Sequence, residues 1–157
     1  MVEPKILVAG IRNVKFGENV TIVEPVNLYE CEIGESSFVG PYCEIQSGVK
    51  IGSNTKIQSH SFICSLVEIG RRVFIGHGVV FVNDLFTNGG PARGDKSKWK
   101  ATFIEDDVSI GSNCTILPVR IVKGCVVGAG STVTKDLLQC GVYAGNPAKL
   151  IRKLSNE

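Results

Sequence analysis

Long apolar runs are missing from this chain of 157 residues. None approaches the ~20 residues that a membrane-spanning helix requires. The N-terminal MVEPKILVAGIRNVKF lacks a charged leader followed by an adequate apolar stretch, so the expectation is a cytoplasmic protein. No Cys-x-x-Cys pair occurs among the six cysteines, which argues against zinc ribbons and dithiol redox chemistry. Excess charge is also missing. The formal net charge is +2 and no basic run carries interleaved aromatics, so nucleic acid is not an expected partner. The longest basic cluster, Lys96, Lys98 and Lys100, reads as a solvated loop. Histidine is limited to His60 and His77, and there is one Trp and one Met. Few leucines beside many Ile and Val favour strand over helix.

What the chain has is a period of six. From Ile33 to Phe81 an aliphatic residue or Phe recurs at Ile33, Val39, Ile45, Ile51, Ile57, Ile63, Ile69, Ile75 and Phe81. Glycine follows five of them, and a small or β-branched residue stands four places on, from Ser37 and Cys43 to Val79. This is a repeat signature and fits neither a helix nor a plain alternating strand. The spacing is even, so the apolar residue and its small partner point to one side of an extended chain. Cys43, Cys114 and Cys125 fall in the small inward slot, where a thiol acts as a small hydrophobe; reduced, structural thiols are expected.

The ladder can be traced upstream through Phe16, Ile22 and Leu28. It stops after Phe81 and resumes at Ile104, Ile110, Ile116, Ile121, Val127 and Val133. Two steps, Leu28 to Ile33 and Ile116 to Ile121, are one residue short. The interval between Phe81 and Ile104 implies an insertion at about 84–102, rich in turn signals such as Asn88-Gly89-Gly90-Pro91. Three six-residue strands per coil make eighteen residues. Gly34, Gly52 and Gly70 then stack in one column, and Val49, Val67 and Leu85 in another. The expectation is one all-β solenoid domain over 1–157, of about six coils, with a tail from 140 that forms a short helix or an extended cap over the last coil.

This pattern resembles the hexapeptide-repeat acyltransferases, whose fold is a left-handed parallel β-helix. The match covers about Phe16 to Lys153 and is most specific from Ile110 onward, through VGAGSTVTKD to AGNPAK. One departure is the missing glycine after Ile116-Leu117-Pro118. FVND at Phe81–Asp84, Gly90-Pro91-Ala92-Arg93 and Trp99-Lys100-Ala101-Thr102 are similar to a subgroup, the N-acetyltransferases of amino sugars linked to UDP or dTDP. The resemblance implies a homotrimer with sites between subunits. It implies acetyl-CoA as co-substrate, with the pantetheine arm along backbone amides near Ala129 and Ser131. Asn146, Pro147 and Lys149 lie beside that arm, and Lys149, with Arg152 or Lys153, would meet phosphate. The fold's carbonic anhydrases need three metal-binding histidines, and two are present here, so no metal is expected.

The implied reaction sets a neutral amine against a thioester, which requires close positioning and stabilisation of an oxyanion. Asn83, at the point where the ladder gives way, is the first candidate: its carbonyl oxygen would accept from the amine and orient its lone pair. It is also a residue that commonly starts turns. Asp84 would take the proton or pair with Arg93. His77 suits a general base but is equally a surface residue of a solenoid; His60 reads as surface only. Arg93, Lys96 and Trp99 would meet the sugar nucleotide. The expected function is acetyl-CoA-dependent N-acetylation of a nucleotide-linked amino sugar in cell-surface polysaccharide biosynthesis. Two rivals stand beside it: an O-acetyltransferase of a sugar or serine using His77, and a non-catalytic solenoid that binds partners.

Overall fold

The computed structural model describes residues 2–154. Within them almost every regular element is a strand of two or three residues. The exceptions are one short 3-10 turn, Lys96–Lys98, and two longer strands, Gly141–Ala144 and Lys149–Lys153. The strands stack into three sheets that form the sides of a prism. Face A has seven strands, from Ile11–Arg12 to Thr132–Val133. Face B has six, from Lys15–Phe16 to Arg120–Ile121. Face C has eight, from Thr21–Ile22 through Val126–Val127 to the two terminal strands. All pairings but the last are parallel, and each joins equivalent residues of successive coils, such as Ile33 with Ile51. The chain is thus a parallel β-solenoid of about seven turns, the architecture that the resemblance implies. The extra turn comes from Ile11–Arg12, which pairs with Asn27–Tyr29 and lies upstream of the readable ladder.

The repeat places the core. The sixth-position residues Val39, Ile45, Ile57, Ile63 and Ile75 are fully buried, and so are the small partners Val49, Thr55 and Val79. Inward hydroxyls bridge layers. Thr55 Oγ1 donates to Gly70 O at 2.9 Å and accepts from Val73 N at 3.1 Å. Ser61 Oγ does the same with Gly76 O and Val79 N. A buried hydroxyl is tolerated because both its functions are used. Burial also raises the thiols of Cys31 and Cys64 to about 11, so they stay protonated and inert, as expected for structural cysteines. All six cysteines are unpaired.

Glycine after the apolar residue marks where coils touch. A Cβ on Gly52 would stand 2.6 Å from the carbonyl carbon of Gly70, and one on Gly34 would stand 2.6 Å from Ser53 N. The glycine column is therefore as expected, and its cause is backbone approach between layers. The second expected column is corrected. Val67 pairs with Thr102, whose side chain is buried, while Leu85 lies in the insertion and is exposed. Thr102 consequently belongs to the ladder, and the inserted loop ends before it.

Corner lengths are unequal in an informative way. Every step from face B to C, and from C to A, takes six residues from Phe16 through Val133. The step from A to B takes five at Ile11–Phe16, Leu28–Ile33 and Ile116–Ile121, six at Ile45–Ile51 and Ile63–Ile69, and carries the inserted loop after Phe81. One edge of the prism absorbs all variation in length.

The tail resolves in favour of an extended cap, and the helix is corrected. After the turn at 145–148, Lys149–Lys153 runs antiparallel to Gly141–Ala144. A helix this short is marginal in water, whereas an adjacent strand offers unsatisfied backbone groups. Among the described residues no helix is long and apolar enough to cross a membrane.

Candidate functional site

Two corners hold the candidate residues, and within one chain they are separate. The corner between faces C and A stacks Pro41, Ser59, His77, Ser112 and Ala129 in one column, with Tyr42, His60, Gly78, Asn113 and Gly130 beside them. The corner between faces A and B carries Asn83, Asp84 and the loop. Strand Val80–Phe81 runs between His77 and Asn83.

His77 is exposed and fixed by its neighbours in the column. Its Nδ1 shares a hydrogen with Ser59 Oγ at 2.9 Å, and its backbone N–H donates to Ser112 Oγ at 3.1 Å. Nε2 is left pointing away from that bond. Ser59 and Ser112 were not legible as partners, because they stand 18 and 35 residues from His77 and only the register brings them together. Continuing along the column, the backbone N–H groups of Ala129 and Ser131 make no hydrogen bond among the described residues. The Ser131 hydroxyl is turned inward, donating to Gly128 O at 2.6 Å and accepting from Gly145 N at 3.1 Å. That bond, with Ala148 N donating to Thr132 O, seats the Gly145-Asn146-Pro147 turn directly over this corner.

The basic pair of the tail is grouped by a bulge. Residues three apart on a regular strand face opposite sides. Here the register shifts, so that Arg152 lies opposite Val142 and Lys149 opposite Ala144. Val142 and Ala144 both face outward, since Tyr143 between them is buried. Opposed residues share a side, so Lys149 and Arg152 project together from the last rung.

At the other corner, Asn83 Nδ2 donates to Ser65 O at 3.1 Å. A carbonyl only accepts, so this bond fixes the amide orientation and leaves Oδ1 as the free acceptor. Oδ1 takes no hydrogen bond among the described residues. Lys100 N donates to Asn83 O at 2.9 Å and closes the base of the loop. Asp84 departs from one of its two expected roles, the pairing with Arg93. It forms no ion pair with Arg93; Oδ1 accepts from Phe86 N at 3.0 Å and Oδ2 from Ala92 N at 2.6 Å. Two backbone donors satisfy the carboxylate and make it a clasp for the loop. Arg93 forms no ion pair among the described residues and lines a cleft of about 320 Å³ with Thr87, Asn88, Pro91 and Lys98. Trp99 closes the 3-10 turn, with Lys96 Nζ 5.9 Å from its ring centroid.

The larger depression, about 550 Å³, runs down face B over Gly17, Gly34, Gly52 and Gly70. It lies away from His77 and Asn83. Its outward charges pair with each other, Lys15 with Glu32 at 2.7 Å and Lys50 with Glu68 at 3.6 Å. Next to it, on the corner between faces B and C, Arg71 and Arg72 bind Asp106 and Asp107 across the layers on either side of the insertion. No group of three His, Cys, Asp or Glu residues that could hold a metal occurs among the described residues.

Comparison with known proteins agrees with this architecture. Residues 30–65 match the family described as bacterial transferase hexapeptide (six repeats), and residues 102–135 match the hexapeptide repeat of succinyl-transferase. The bifunctional protein GlmU of Nitrosomonas eutropha is 34% identical over 145 residues, covering 80% of this chain and 29% of GlmU. The chain thus spans under a third of the length of the curated relatives it matches. The hexapeptide-repeat-containing acetyltransferase of Vibrio cholerae is 26% identical with a TM-score of 0.64, over 90% of this chain and 74% of that one. That protein has also been solved with acetyl coenzyme A. AntD, an N-acyltransferase from Bacillus cereus solved with dTDP-4-amino-4,6-dideoxyglucose and coenzyme A, shares the fold at 21% identity and a TM-score of 0.70, over 92% and 85% of the two chains.

Proposed function

This chain belongs to the hexapeptide-repeat transferase family, and on that premise we propose that it transfers an acetyl group from acetyl-CoA to the amine of a nucleotide-linked amino sugar. The observation that carries the reading is the Asn83 amide. Its nitrogen is committed to Ser65 O, so its oxygen is left as an acceptor for an amine N–H. A neutral amine held this way presents its lone pair to the thioester carbon. The C–N bond forms, the oxyanion collapses, the C–S bond breaks, and the thiolate of coenzyme A leaves. The proton lost from nitrogen goes to the departing sulfur or to His77. Ala129 N–H and the turn at Asn146-Pro147 would receive the pantetheine arm, and Lys149 with Arg152 the phosphates. Arg93 and Trp99 would meet the nucleotide. The acetyltransferase of Vibrio cholerae with acetyl coenzyme A and the sugar-nucleotide complex of AntD support the two ligand classes.

Because the cofactor corner and the Asn83 corner of one chain diverge, a site using both requires a neighbouring subunit. This supports a homotrimer in which one subunit's loop meets the next subunit's corner between faces C and A. O-acetylation is the second reading, favoured by the Ser59–His77 bond, which holds an imidazole as a base would be held. Thiol release from acetyl-CoA with UDP- and dTDP-amino sugars tests the proposal. Asn83→Ala should lose most of the rate and His77→Ala little. The reverse pattern would favour the hydroxyl acceptor, and no thiol release with any acceptor would leave only a binding role.

A further inference from the structure

We propose that the stacked rings of Tyr42 and His60 are a platform for a nucleobase, set on the same corner as His77 and on its N-terminal side. The ring centroids are 4.8 Å apart with an interplanar angle of 28°. Both residues are exposed, Tyr42 by 60%, so neither ring is placed there by packing on the core.

Their backbone makes the placement informative. Tyr42 has φ 61° and His60 φ 63°, a left-handed conformation that bulky residues rarely adopt. Equivalent positions in later layers hold Gly78, Asn113 and Gly130, the residue types that suit it. The fold asks for Gly or Asn at this column, yet two successive layers carry rings. Other corners carry Glu30, Leu66 and Arg72 in the same conformation, so what sets this column apart is that two exposed rings stack on each other there. Tyr42 covers one face of the imidazole. Above the other face stands Gly78, with no side chain, and one layer on, Asn113 Oδ1 comes within 2.7 Å of where a Gly78 Cβ would be. A flat ligand on His60 would thus have an amide within reach of its polar edge. A π-face that accepts any base, with a nearby amide, is the recurrent chemistry of base stacking.

Position along the corner separates two sources of the base. Ala129 and Asn146, assigned above to coenzyme A, lie on the C-terminal side of His77. The rings lie on the other side, and a base on the free face of His60 would be reached from the N-terminal side of His77, one layer or ~5 Å from it. The base is therefore that of the acceptor, an assignment that rests on the nucleotide-sugar reading, whereas the platform itself does not.

The test is titration of the full chain with uridine and thymidine monophosphates, and separately with adenosine 3′,5′-bisphosphate, following the His60 and Tyr42 ring resonances by NMR. Ring shifts with the pyrimidine nucleotides are expected. Tyr42→Asn and His60→Asn, which suit the left-handed backbone, should each weaken that binding about tenfold. Tyr42→Phe should retain it, and KM for acetyl-CoA should not move. Shifts with the adenosine bisphosphate alone would support the platform and reassign its base to the coenzyme. Pyrimidine binding at the rings without transfer to any nucleotide sugar would support the platform and remove the proposed function. Turnover of a nucleotide sugar with no ring shifts from any nucleotide would overturn the platform, as would a change of oligomeric mass in Tyr42→Asn.

Discussion

The corner between faces C and A and the corner between faces A and B are built in opposite ways. The first is made of residues that the repeat itself positions. Ser59, His77, Ser112 and Ala129 occupy one slot of successive coils, and the first three are tied to the layer above or below. The second is where the repeat is interrupted: Asn83 is tied to Ser65 of the preceding coil and to Lys100 at the base of the loop, and Asp84 only to backbone donors of the loop itself. A ladder makes a rigid, periodic edge suited to an elongated ligand such as a cofactor arm. An interruption makes a local, aperiodic surface suited to selecting one acceptor.

The contrast breaks most sharply under glycine substitution. Gly76→Ala on the ladder would put a Cβ 2.6 Å from Ser112 N, and the backbone must move. Destabilisation of about 3 kcal/mol or more is expected, read as a loss of denaturation midpoint. Gly89→Ala in the loop meets nothing within 4 Å, though its φ is 75°, so about 1 kcal/mol is expected. Equal effects would mean that the two edges are equally rigid.

At the level of activity, Asn83→Ala should lower kcat/KM about a hundredfold, the scale of one preorganised polar contact to the reacting centre, with the melting temperature nearly unchanged. A cofactor-edge variant, Lys149→Ala with Arg152→Ala, should instead raise KM for acetyl-CoA. Mixing these two damaged proteins during refolding tests whether the corners meet across subunits. About a quarter of the sites should recover by random assortment in a shared-site trimer. No recovery would place the whole site within one chain.

Smaller effects concern the joints. Thr55→Val leaves Val73 N without its buried acceptor and should cost about 1–2 kcal/mol. Asp106 is held below the usual carboxylate range, first by the Arg71 backbone N–H and then by the Arg71 and Arg72 side chains, against the opposing effect of burial. A lowered folded value adds stability that is fully present above the unfolded value, about pH 4, and is lost as pH falls below that and through the lower folded value. Asp106→Asn should therefore lower the melting temperature at pH 6, by an amount that shrinks as pH falls through the lowered folded value.

Legibility in the sequence followed the same division. The inward column, the glycine column, the position of the loop and the inert thiols were readable, because each follows from a period of six and from side-chain size. Asn83 was readable as the residue at the break. The Ser59–His77 bond was not, since it depends on register between coils, and neither was the Tyr42–His60 stack. Leu85 was misplaced because the eighteen-residue count runs on past Phe81 while the chain has already left the prism; Thr102 fills that slot instead. The terminal helix failed because local propensity at Ala148–Leu154 ignored the strand edge waiting beside it. Asp84 read as a partner for Arg93 because sequence shows charges and hides backbone donors.

The uneven edge of the prism has a further consequence. Rungs on both sides of the A-to-B corner keep their pairing whether the connection is five residues, six, or the span 82–101. The loop is thus a cassette on an unchanged frame. On the proposed function, a segment of different length and chemistry spliced between Asp84 and Lys100, with Asn83 kept, would change the loop's part in acceptor choice while leaving the rungs of the prism paired as they are.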